Sequence, residues 1–405
     1  LTLAGNADFN GDLDVDGTST FDGITNAGNF ETDGGSIKLD GNYPTGTDNV
    51  ALGNDALSDG SLSGAGNIAI GDSAAKALTS GSNAIAIGRD AMSAAVFTGS
   101  DAVGVGRSTL AALTSGSNNV AVGGLAGTAL TTGGNNVALG FEALKTEDTS
   151  GSATAIGYQA LRLQNSGGSN SYNTAVGVSA GTAVTTGNQN TFLGSLAGTS
   201  LTDADFNIGI GYFALGSDTL GSRSTAVGQQ ALATQNFTTA TDSYNTAVGF
   251  HAAQALTTGT QNTLVGGLAG DAFTTGVQNT ILGYNTDTTG AGGDNRIGIG
   301  VSLSLDTNSQ IKIGNASTFV SNTWGSNATW SHSSDERLKE NIQDATLGLS
   351  FINDLRTVNY NWRLQKDVPE ELRNDTGYEK ETEVRQHGLV AQEVKAALDK
   401  AGVDT

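Results

Sequence analysis

The sequence predicts a mainly β protein, an elongated β-solenoid of 17-residue repeats followed by a short segment of different make-up. Three observations lead there. Short aliphatic runs ending in glycine recur sixteen times between residues 48 and 316, and ten of their fifteen spacings equal 17. An asparagine column and an alanine column keep step with those glycines. Composition then breaks near residue 330, since all but four of the 58 glycines precede it and ten of the 19 lysines and arginines follow it.

Charge sets the first limits. Residues 1–330 carry nine basic and 25 acidic side chains, and residues 331–405 carry ten and 15. Nucleic acid and anionic membrane both bind through basic patches, so neither is expected as a partner. There is no cysteine, which excludes disulfides and thiolate-held metals. No run of 18 apolar residues offers a membrane span, and no cofactor is expected. A chain that opens on Leu1, without an initiator Met or a signal-like segment, reads as part of a longer protein whose N-terminal attachment domain is missing.

Residues 1–47 come first. Phe9, Leu13, Val15 and Phe21 alternate with Asp and Gly, which predicts short strands of a trimeric β-prism. Asp12, Asp14, Asp16 and Gly17 copy the opening of an EF-hand loop. Gly23 stands where that loop needs its bidentate Glu, so these carboxylates read as a solvated strand face and no metal is expected.

The repeat region, 48–316, is the bulk of the chain. The residue before each repeat glycine is Val, Ile or Leu in all sixteen copies, as at Val176, Leu193 and Ile210. Four before the glycine ten copies carry Asn, and three after it twelve carry Ala. This pattern implies a strand of four or five residues with an inward aliphatic, a glycine that lets the chain turn, and an alanine packed where nothing larger fits. The rest of each repeat is either a helical turn or a second short strand. A single unit cannot bury its apolar row, so neighbours stack, and the asparagines form a structural amide ladder along the axis. Sixteen layers give a rod on the order of 75 Å. Insertions at 161–170 and 233–243, which bring Tyr172 and Tyr244, protrude as loops on one face. The aliphatic row is thin for a lone solenoid, which favours three chains about one axis, each supplying one wall of a shared core.

These repeats resemble the head repeats of trimeric bacterial adhesins, and more closely the N-T-A-V-G repeats of phage tail fibres. That resemblance implies a homotrimeric β-roll shaft. Residues 317–333, with Trp324 and Trp330, then read as a neck where three chains close their core.

The last segment opens on Ser333-Ser334-Asp335-Glu336-Arg337-Leu338-Lys339. As a local signal, Ser334 and Asp335 cap an amphipathic helix with Leu338 and Ile342 inward. Ser334 and Lys339 also form a nucleophile–base pair if the first turn is irregular or a neighbouring chain supplies the lysine. Together with Val358-Asn359-Tyr360-Asn361-Trp362 and His387-Gly388-Leu389-Val390-Ala391-Gln392-Glu393-Val394, the segment resembles the intramolecular chaperone domain of endosialidases, the S74 peptidase family. The resemblance implies a small α+β domain over 334–405, incomplete at its C-terminus. It further implies that this domain helps three chains align and then cuts the chain between Ser333 and Ser334. In that scheme Ser334 attacks, Lys339 is the base, and Asp335 and Arg337 position the bond. His387 is either part of the site or a packed structural histidine.

The function these resemblances imply is a virion tail fibre, extracellular after release. Its partners are two further copies of itself, a host-surface glycan or protein, and other tail or baseplate proteins. The alternatives are a trimeric bacterial adhesin, which a C-terminal membrane anchor would support, and a glycan-degrading tailspike. The latter needs paired carboxylates in a cleft, and the repeats offer no recurring pair.

Overall fold

In a computed structural model, residues 47–94, 96–324, 331–332, 348–361 and 385–402 are described. The β-prism reading of 1–47 and the Asp12–Gly17 stretch fall outside them, residue 47 excepted. Contacts divide the chain into two units, 1–332 and 333–405.

The first unit is a β-solenoid. Sixteen strands, from Val50–Leu52 to Gln310–Asn315, stack in parallel register, one per repeat. Thr246, Ala247 and Val248 lie on Thr263, Leu264 and Val265, which lie on Thr280, Ile281 and Leu282. Most strands are three residues long, shorter than the four or five expected. The stretch after each corner glycine is a turn, neither a helix nor, in most repeats, a strand. Two left-handed residues recur in it, as at Glu142 and Leu144. A left-handed leucine costs about 1–2 kcal/mol. It is held there by full burial and by a bond from its N–H to the carbonyl of the next turn (Leu144 to Ala160 O, 3.0 Å).

The inward side of the strand corrects the sequence reading. Side chains alternate along a strand, so a three-residue strand turns one residue in and two out. The inward one is the middle residue, Ala86, Ala121, Ala155 or Ala226, all fully buried. The larger aliphatic before the glycine faces out, with Leu193 48% and Leu282 49% exposed. A single chain also closes its own core, which the shared-wall reading did not anticipate. Behind the strand alanines lie the expected alanine column (Ala143, Ala231) and two leucine columns (Leu110, Leu144 and Leu232; Leu113, Leu130 and Leu256).

Volume is conserved from turn to turn. Phe192 takes a strand-middle place held by alanine on most rungs, and its ring fills the space where Gly181 and Gly198 replace core leucines. Met92 likewise leans over the strand glycine Gly104. Such exchanges keep a narrow interior close-packed without overfilling it.

The asparagine column forms an internal amide ladder, as expected, broken at Ala84, Ala102, Ala153 and Ser224. Asn262 Oδ1 accepts the N–H of Asn279 (3.0 Å), and its Nδ2 donates to Gly276 O (2.9 Å) and to Asn245 Oδ1 (3.1 Å). Such an amide bonds both neighbouring turns and satisfies buried backbone groups.

Cations close the stack. Arg296 occupies the asparagine position of its turn and donates to Leu305 O (2.6 Å) and Asn308 Oδ1 (2.9 Å). Lys312, at a strand-middle place, donates to Ser304 O (2.6 Å) and Asp306 Oδ1 (3.2 Å) under the Phe319 ring. The segment read as a neck contains a hairpin. Strand Phe319–Thr323 pairs antiparallel with the last rung, Gln310–Asn315, and with Ser331–His332.

Corner glycines make these rungs possible. Gly177 has φ +141°, and a Cβ built on it would lie 2.5 Å from Gly194 O of the next turn. Gly177→Val therefore combines forbidden backbone with a direct clash. It is expected to cost more than the roughly 1–3 kcal/mol of backbone strain alone. Urea unfolding that matched the wild type would refute this account.

Candidate functional site

The second unit carries the residues the sequence singled out. Strand Thr357–Tyr360 pairs antiparallel with Gln386–Leu389, which sets Asn359 opposite His387 and Val358 opposite Gly388. Both quoted motifs thus form one two-stranded ribbon. The Tyr360 ring lies against Gly388, 3.4 Å from where a Cβ there would stand. Helix Leu349–Asp354 precedes the first strand and helix Ala391–Lys400 follows the second.

Two ion pairs tie the ends of these elements together. Arg356 grips Glu393 through Nε (3.2 Å) and Nη2 (2.5 Å), and Lys400 meets Asp354 at 2.8 Å. The Arg356 guanidinium holds the Glu393 carboxyl below its ordinary value. Both pairs are solvent-exposed, so they orient more than they stabilise.

A cavity of about 560 Å³ opens beside the ribbon, lined by Ile352, Leu355, Val358 and Leu389 and by Thr357, Asn359 and His387. His387 is exposed. It stands at the edge of this cavity. Ser333, Ser334, Asp335, Arg337 and Lys339 lie outside the described residues, as do Trp330 and Trp362.

Residues 334–403 match the S74 peptidase family model, described as chaperone of endosialidase. No curated protein and no solved structure matches the chain. The chain is thus a β-solenoid followed by a segment that matches the endosialidase-chaperone family model. Among the described residues no helix is long and apolar enough to cross a membrane, and no three His, Asp or Glu side chains gather as a metal site would require.

The solenoid holds polar sites that the motif search missed. Glu147 and Asp218 are fully buried in the column that carries Leu113, Leu130 and Leu256 on other turns. Glu147 accepts from the N–H of Ser150 (3.0 Å), the N–H of Ser166 (3.3 Å) and Gln164 Nε2 (3.0 Å). Asp218 accepts from the N–H groups of Gly221 and Phe237 (both 3.1 Å) and Gln235 Nε2 (2.5 Å). Both glutamines then accept from ladder asparagines, Asn173 and Asn245. The signal was available, because each acid stands 17 residues before its glutamine and each pair adjoins an insertion. These plugs anchor the roots of the two inserted loops, where Tyr172 and Tyr244 are exposed. Arg223 packs between the Phe206 and Tyr244 rings (4.7 and 5.9 Å to their centroids) and pairs with Asp242 at 2.9 Å.

One carboxyl titrates abnormally. Burial pushes Asp287 from 3.8 up to about 6, and the Asp271 carboxyl beside it adds to the rise against bonds from the Thr288 and Ala272 N–H groups. The folded chain therefore holds this proton more tightly than the unfolded chain. Its contribution to stability is full below about pH 3.8 and is lost as pH rises through about 6. Asp287→Asn should match the wild type near pH 3, exceed it at pH 7 and flatten the melting profile between. Parallel profiles for the two proteins would contradict this assignment.

Proposed function

We propose that the chain is the shaft and C-terminal folding device of a homotrimeric, virion-borne fibre of the tail-fibre type, which meets a host surface. The observation that carries this reading is one chain joining a sixteen-rung solenoid to a segment matching the endosialidase chaperone. The outward strand columns support the trimer. Positions such as Thr246 and Val248, repeated on every rung, line one side of the solenoid with aliphatic and threonine side chains. An apolar strip of that length is costly to leave in water. A strip that repeats every turn also pairs with a copy almost as well one rung out of place. A clamp at one end sets the register before the rest zips, which is the task of a C-terminal chaperone.

The trimer is tested by sedimentation at micromolar concentration. The wild type should run as three chains. Val248→Asp with Leu282→Asp should run as one, because an outward carboxylate is harmless on a monomer and buried in a trimer. A monomeric wild type ends the proposal.

Release follows assembly. Ser334 Oγ adds to the Ser333 carbonyl while Lys339 takes the hydroxyl proton and returns it to the departing Ser334 nitrogen. Water then hydrolyses the resulting ester. Asp335 and Arg337 hold the bond in place, and His387 reaches the site from the ribbon. Wild type should give two fragments on a denaturing gel, with Ser334→Ala and Lys339→Ala each giving one intact chain that still trimerises. An intact wild type would leave a folding clamp without a peptidase.

A further inference from the structure

The residue after each corner glycine also points outward, and in the second half of the solenoid this column carries rings. Tyr212, Phe250 and Tyr284 are 49%, 51% and 56% exposed. They stand on alternate rungs, following the strands Ile208–Ile210, Thr246–Val248 and Thr280–Leu282, with Gln229 and Gly267 on the rungs between. Two rungs advance by about 10 Å. Tyr284 leans over the rung before it, since a Cβ built at Gly267 would lie only 3.5 Å from its Cδ2. The His251 ring stacks on Phe250 at 3.8 Å, which steadies it. Farther up the same column Phe141 and Tyr158 stack at 5.7 Å.

We infer that this row is a binding track for an extended, uncharged, β-linked polysaccharide. The inference rests on the reading above that the shaft meets a host surface. Sugar rings lay their C–H faces on aromatic rings, and the tyrosine hydroxyls supply hydrogen bonds at the same places. In a β-linked pyranose chain with twofold character, every second sugar presents the same face. The alternate-rung spacing meets that repeat with one ring per two sugars. Charge narrows the class. Residues 1–330 carry 25 acids against nine bases, and no Lys or Arg stands in this column from Gly124 to Val301, so a polyanionic glycan is repelled along the whole track. A second copy of the chain fits the row less well than it fits the strand face. The strand columns are continuous, whereas Gln229 and Gly267 interrupt the rings.

Titration calorimetry on the full chain tests this with β-1,4-linked hexasaccharides of glucose and of N-acetylglucosamine, their disaccharides, and polysialic acid. At least one hexasaccharide should bind, its disaccharide at least tenfold more weakly, and polysialic acid not at all. Combining Tyr212→Ala, Phe250→Ala and Tyr284→Ala should weaken the hexasaccharide at least tenfold while melting and sedimentation stay as in the wild type. Phe206→Ala, which removes an exposed ring on another column, should leave binding intact. The inference falls if neither hexasaccharide binds or if the triple variant binds as well as the wild type. It also falls if that variant sediments as a monomer, which would assign the rings to chain association. A protein that trimerises and cleaves itself yet ignores both hexasaccharides sinks the track alone, not the fibre reading.

Discussion

The closeness of one turn's backbone to the next governs this molecule. At every corner the carbonyl of a glycine lies where the Cβ of the preceding corner glycine would stand. The column therefore admits no side chain, and the chain must return to the same point every 17 residues or so. From that constraint follow the three-residue strands, the narrow interior that takes alanine, and the left-handed turns that bring each N–H onto the next turn. The asparagine ladder is its counterpart inside, since a stack this tight buries backbone groups that strand pairing does not reach.

Because the stacking is so regular, the period, the asparagine column and the alanine column could be read directly from spacing. The direction of the strand could not. Val176 and Leu193 are larger than Ala175, and size alone suggests they face the core. Only the strand's brevity, set by the corner at each end, puts the small residue inside. Phe192 shows the same limit, because its burial depends on Gly198 in the turn that follows its strand and on Gly181 one rung before. Glu147 and Asp218 were hidden for a related reason. A carboxylate inside a core makes sense only beside its glutamine one turn on, and such pairs emerge when the repeats are aligned column by column.

The C-terminal segment was legible in another way. Its strands at Val358 and His387 come together as one ribbon, which no periodicity in the chain would reveal, and the motif resemblance located both.

The way the stack ends bears on how such chains change over generations. Arg296, Lys312 and the antiparallel hairpin seal the last rung, while every interior turn touches only the turn before and the turn after. Whole turns can therefore be gained or lost by recombination inside the array, and the shaft lengthens or shortens by one rung without disturbing its seal. The buried acid–glutamine pairs are the exception. A deletion that separates Glu147 from Gln164, or Asp218 from Gln235, strands a charge in the core. Crossovers should consequently carry each pair across intact or remove both members, so those two places keep a memory of ancestry that the interchangeable turns between them do not.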